Sequence, residues 1–149
     1  TDLASSTSCF PEGVHPNSLE GCYGAGHYSP ATAAYLNLIR AMFIQDDSES
    51  LLLFSGVPSQ WFEEPEISIH QFPTRFGSFS FRLLKSSQGY NMTIQSDFHT
   101  PPKDIQIQFP IDIDTAIYNG SSVPVNSSTL VLPNYVNEAS ASSQLVSVT

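Results

Sequence analysis

From Leu51 onward, apolar and polar residues alternate with a period of two. Ile67-Ser68-Ile69, Phe79-Ser80-Phe81, Ile105-Gln106-Ile107-Gln108-Phe109 and Ile111-Asp112-Ile113 are the clearest stretches. Successive side chains of a strand point to opposite faces, so this pattern buries one face and wets the other only in a β-strand. It predicts strands near 51–55, 66–71, 78–85, 90–95, 104–110, 113–118, 122–125, 129–132 and 144–148. Ser86-Ser87-Gln88-Gly89 reads as a hairpin turn with glycine where φ is positive, and Asn119-Gly120 is the strongest hairpin signal in the chain. Short antiparallel strands joined by regular turns imply a mainly β fold, an antiparallel β-sandwich of about eight strands. Ten Phe, six Tyr and a hydrophobic share of 40% supply the core. A chain of 149 residues can bury about 68–70% of its unfolded surface, enough for a core without metal.

One segment departs from this period. Ser29-Pro30 provides a favoured N-cap and a proline suited to the first helical position. Ala33, Leu36, Ile39 or Arg40, and Phe43 then keep helical spacing through about Gln45. Asp46-Asp47-Ser48 opposes the C-terminal dipole and should stop the helix, which is expected to pack on the sandwich. Three segments follow: a disulfide-braced loop over 1–28 without regular structure, a helix plus β-sandwich over 29–136, and a Ser-rich linker with a terminal strand over 137–149. The start at Thr1 reads as a mature product or a cut-out fragment.

Asn91-Met92-Thr93, Asn119-Gly120-Ser121 and Asn126-Ser127-Ser128 are N-glycosylation sequons without proline at the middle position. Cys9 and Cys22 are close enough in sequence to close one loop, worth about 3 kcal/mol in an oxidising compartment; the alternative is two buried free thiols. Their spacing is not a zinc pattern, and no metal or cofactor is expected. Together these features point to an extracellular, secreted glycoprotein with covalent N-glycans. The net charge is −9, and the five cations (Arg40, Arg75, Arg82, Lys85, Lys103) form no basic stripe. Such a surface cannot release counterions from phosphates, so nucleic acid and anionic membrane are poor partners. No apolar run approaches the ~20 residues of a membrane helix, so no membrane insertion is expected.

Three constellations could carry chemistry. Glu12, His15, Glu20 and His27 could serve acid–base or metal chemistry if folded together, or act as loop residues holding irregular backbone. Trp61-Phe62, with Tyr23, Tyr28 and Phe76, could stack on sugar rings; the alternative for the lone tryptophan is a core plug between helix and sheet. Trp61 and Tyr23 are the candidate carbohydrate contacts. Arg75 in Pro73-Thr74-Arg75-Phe76-Gly77 is either a ligand-binding loop residue or, as expected here, the partner of Glu63, Glu64 or Glu66. No phosphate loop, Gly-x-Ser-x-Gly elbow or Cys–His pair occurs, and no catalytic residue is assigned.

Phe10–Pro16, Gly21–His27 and Tyr35–Met42 resemble the closing part of bacterial (α/α)6-barrel glycoside hydrolases, where a Gly-rich loop precedes a final helix. Leu51–Pro58, Trp61-Phe62 and Pro73–Phe81 resemble strands and turns of the C-terminal β-sandwich that follows. The resemblance covers roughly residues 10–110 and implies a last helix plus β-sandwich. The barrel itself has no counterpart in this chain, nor do the family's catalytic carboxylates. Glycoside hydrolysis needs two carboxyls about 5–5.5 Å or 6.5–9.5 Å apart, and nothing in this sequence builds that frame.

The expected function is a non-catalytic, structural or assembly glycoprotein, self-associating by exchange of a terminal strand within 142–149. The same strand could instead close its own sandwich. The alternative is a carbohydrate-binding accessory module or fragment of a glycoside hydrolase. A remnant enzyme using Glu12, His15 and His27 is the third reading.

Overall fold

The computed structural model describes residues 11–18, 21–23, 28–133 and 144–148. The chain divides into two compact units, Thr1–Ala41 and Met42–Thr149. In the first, β1 (Gly13–Val14) pairs antiparallel with β2 (Gly21–Tyr23), with a register irregularity at Gly13/Val14. This small ribbon corrects the expectation that 1–28 lacks regular structure: the backbone groups of Gly13–Val14 and Gly21–Tyr23 satisfy one another across the ribbon. Cys22 lies in β2, whereas Cys9 lies outside the described residues. Helix α1 follows over Ser29–Phe43. Tyr28 O accepts the first N–H groups, from Ala31 at 3.1 Å and Thr32 at 3.2 Å. None of its residues is buried, and Leu36 and Leu38 are 62% and 60% exposed.

The second unit holds two sheets that share one apolar core. Its strands are β3 (Ile44–Asp47), β4 (Ser50–Leu53), β5 (Glu66–Thr74), β6 (Gly77–Ser86), β7 (Gly89–Phe98), β8 (Asp104–Gln108), β9 (Ala116–Tyr118), β10 (Ser121–Ser122), β11 (Val125–Asn126), β12 (Thr129–Pro133) and β13 (Gln144–Val148). One sheet has the order β10-β9-β13-β7-β6-β5, with every pair antiparallel. The other runs β11-β12-β8-β4-β3, and there β4 and β8 pair in parallel. Parallel neighbours need a crossover; here it is the whole β5–β7 meander in the other sheet.

Alternation does the sorting. Phe79, Phe81 and Leu83 on β6, with Tyr90, Met92 and Ile94 on β7, form the buried face of the six-stranded sheet. Leu51, Leu53, Ile105, Ile107, Leu130 and Leu132, each fully buried, form that of the five-stranded sheet. Rings fill the middle. Phe54 meets Phe62 and Phe81 edge-on, at 5.3 and 5.1 Å between centroids, and Phe109 lies 6.3 Å away. Burial of this scale is what drives the two sheets together. The class is therefore mainly β, packed sheets that follow one N-terminal helix in the sequence.

Several boundaries differ from expectation. The helix stops at Phe43 rather than near Gln45, because Ile44 is 3% exposed and pairs with Leu53 as the first residue of β3. Burial and a ladder outweigh one more helical turn. β4 ends at Leu53, since Phe54 adopts φ 65° to turn its ring into the core. The stretch 122–125 is not one strand. Val123 and Pro124 separate β10 from β11, which belong to different sheets; proline cannot donate to a ladder and suits such a corner. The strand expected over 113–118 begins at Ala116, because Ile113 N–H instead donates to Ser127 O at 2.9 Å.

Candidate functional site

The three acceptor asparagines sit differently. Asn119 and Gly120 form the β9–β10 turn with φ of 47° and 80°, the left-handed pair that a two-residue hairpin of this type requires. A Cβ at Gly120 would meet nothing within 4 Å, so the tip projects into open space. Asn126 is exposed beside the β11–β12 turn, where Ser127 has φ 55°. Asn91 is half-buried in β7 and pairs with Leu84 on one side and Ser147 on the other. It alternates with buried Tyr90 and Met92, so it lies on the outer face of a central strand.

The candidate sugar contacts do not share a unit. Trp61 belongs to the second, in a short 3-10 helix over Ser59–Glu63, and is 38% exposed, with its ring 5.3 Å from that of Phe43. Tyr23 belongs to the first, in β2. Phe62, next to Trp61, is the core residue of this turn at 2% exposure.

In the N-terminal constellation Glu12 is exposed, and His15 Nδ1 accepts from the N–H groups of Asn17 and Ser18, both at 3.3 Å. His15 thus caps a local turn. Glu20 and His27 lie outside the described residues. Among the described residues no three His, Cys, Asp or Glu converge as a metal site requires.

Arg75 departs from expectation. Glu66 takes Arg82 in a two-point pair at 2.9 and 2.8 Å, and Glu63 takes Lys85 at 2.6 Å. The Arg82 guanidinium holds the Glu66 carboxyl below its ordinary value, and Glu63 raises Lys85. Arg75 is remote from these because β5, nine residues long, separates its start at Glu66 from its turn by ~30 Å. The Arg75 guanidinium lies 5.6 Å over the Phe76 ring instead. Among the described residues it makes no ion pair.

That turn helps to form an open cleft of about 520 Å³, lined by Ser48, Glu49, Arg75, Phe76, Thr100, Pro101 and Lys103. Three connections meet there: β3–β4, β5–β6 and β7–β8. Backbone bonds stitch them together. Phe76 O accepts from His99 N–H at 2.9 Å and Thr100 N–H at 3.3 Å, and Lys103 N–H donates to Glu49 O at 2.8 Å. Arg75 N–H donates to Asp46 Oδ2 at 3.2 Å. Thr74 Oγ1 accepts from Phe76 and Gly77 N–H at 3.1 and 3.2 Å. Lys103 reaches Glu49 only at 3.8 Å, with both side chains at least 70% exposed. The sequence singled out Arg75 and Phe76; Ser48, Glu49, Thr100, Pro101 and Lys103 carry no local motif, and only the sheet pairing gathers them.

No helix among the described residues is long and apolar enough to cross a membrane. No family model, curated protein or solved structure matches the chain.

Proposed function

We propose that the chain is a secreted, N-glycosylated, non-catalytic structural module that associates with copies of itself by exchanging β13. The observation that carries this is the position of β13 inside its sheet, paired with β7 along Gln144–Val148 and with β9 along Val146–Val148. Removing it would leave the Tyr90–Ile94 edge of β7 unpaired and would cut β9, with its short partner β10, off from the rest of the sheet. The same slot accepts the same strand from a neighbour with no new contact, which is the condition for exchange between identical chains. The remaining edges are poor templates for a foreign strand. β10 and β11 have two residues each, β3 ends in Asp46-Asp47, and β5 is bulged between Ile69 and Phe72. Exposed Asn119 and Asn126 are accessible to a glycan, and sugars there would shield the short edge strands.

Exchange is tested with cysteines at register partners Thr93 and Leu145. Chains carrying Thr93→Cys and chains carrying Leu145→Cys are co-refolded and oxidised. A disulfide joining one of each is expected, together with masses above the monomer by light scattering. A wholly monomeric population, with the double variant closing only within itself, ends the proposal.

A second reading, a carbohydrate-binding accessory module or part of a glycoside hydrolase, is supported by α1. None of its 15 residues is buried, and Leu36 and Leu38, on different sides of the helix, are each exposed where contact with another domain would cover them.

A further inference from the structure

We infer that the cleft at the β3–β4, β5–β6 and β7–β8 connections binds a carboxylate-bearing monosaccharide, a uronic acid, through Arg75. This is independent of strand exchange. The volume, about 520 Å³, falls within the roughly 300–1,000 Å³ of small-molecule sites. The walls are preformed, because each of the three connections is tied to another by backbone donors. A ligand there need not order a loop, and that saving is affinity.

The chemistry of the walls selects the ligand. Two of the chain's five cations line this cleft in a protein of net charge −9. Among the described residues the Arg75 guanidinium makes no ion pair, although its backbone N–H donates to Asp46 Oδ2. Its guanidinium lies 5.6 Å from the Phe76 ring centroid, and a guanidinium matches a planar two-oxygen group. Lys103 is committed only to a long contact with Glu49, at 3.8 Å between exposed side chains, and such a pair is worth about 0–1 kcal/mol. A ligand carboxylate can displace it. Ser48 and Thr100 offer hydroxyls, while exposed Pro101 offers apolar surface. A sugar acid presents this combination: one carboxylate, several hydroxyls and a C–H face. Polyanions fit poorly, because the overall charge repels them and Glu49 stands in the wall.

The test is a titration of the full chain, followed by backbone amide NMR, with glucuronate, glucose and inorganic phosphate to about 10 mM, a range that detects millimolar binding. Glucuronate is expected to shift resonances of residues 48–49, 75–77 and 100–103, and glucose is expected not to. Arg75→Gln should weaken binding about tenfold, the loss of one charge-assisted pair. Glu49→Gln should tighten it several-fold by freeing Lys103, a gain that no loss of structure can imitate. Three results overturn the assignment: no glucuronate shifts in these segments, equal shifts with glucose, or phosphate matching glucuronate. Failure of Glu49→Gln to tighten binding overturns the role of Lys103.

Discussion

Gly77 shows how one residue can hold a turn. Its φ is 140°, and an added Cβ would lie 2.2 Å from Asp97 O and 2.7 Å from Phe98 Cα. Both are backbone atoms of the neighbouring central strand and cannot step aside. Gly77→Ala should therefore destabilise by about 2–4 kcal/mol, combining the strained φ with the clash, as read from denaturant midpoints at unchanged slope. At the same scale, the Glu66 carboxyl titrates below the ordinary glutamate value because Arg82 hydrogen-bonds its charged form. Stability from this pair is present above that ordinary value and is lost as pH falls through the lower, folded one. NMR titration should give a depressed Glu66 midpoint that returns to the ordinary value in Arg82→Gln; an unmoved midpoint would refute the coupling.

Elements differ in how much tertiary structure they need. β13 has a ladder on both sides at Val146, paired with Met92 and with Tyr118. Proline there removes a donor from a central strand, a place proline avoids. Val146→Pro should lower stability by about 3 kcal/mol, by analogy with the cost of proline in a helix interior, and should abolish any exchange-dependent oligomer. Helix α1 contrasts with it. Leu38 is 60% exposed, so Leu38→Gln should change stability by no more than about 0.5 kcal/mol. A larger loss, measured by chemical denaturation, would mean that the face is covered.

Across the whole second unit, the aromatic centre joins the sheets. Phe54 touches rings from the 3-10 turn, from β6 and from the segment after β8. It does so from a left-handed conformation that a bulky side chain rarely adopts. Truncating it leaves a void that rigid neighbours cannot fill, so Phe54→Ala should cost about 3–5 kcal/mol and lower the thermal midpoint accordingly. Sequence alone determined the strands whose alternation is clean, such as Phe79-Ser80-Phe81 and Ile105-Gln106-Ile107, because pleat and burial share a period of two. It also determined the Asn119-Gly120 turn, because few residues accept two positive φ values in succession. Only the tertiary structure decided that β4 lies parallel to β8, that β13 is an interior strand and that the helix stops at Phe43. Each depends on partners distant in sequence. The cleft was half legible for the same reason: Pro73–Gly77 announces a turn, but the partners of Arg75 depend on where two other connections meet. Local pattern fixes which face of a strand is buried, whereas its neighbours follow from packing that the whole chain resolves at once.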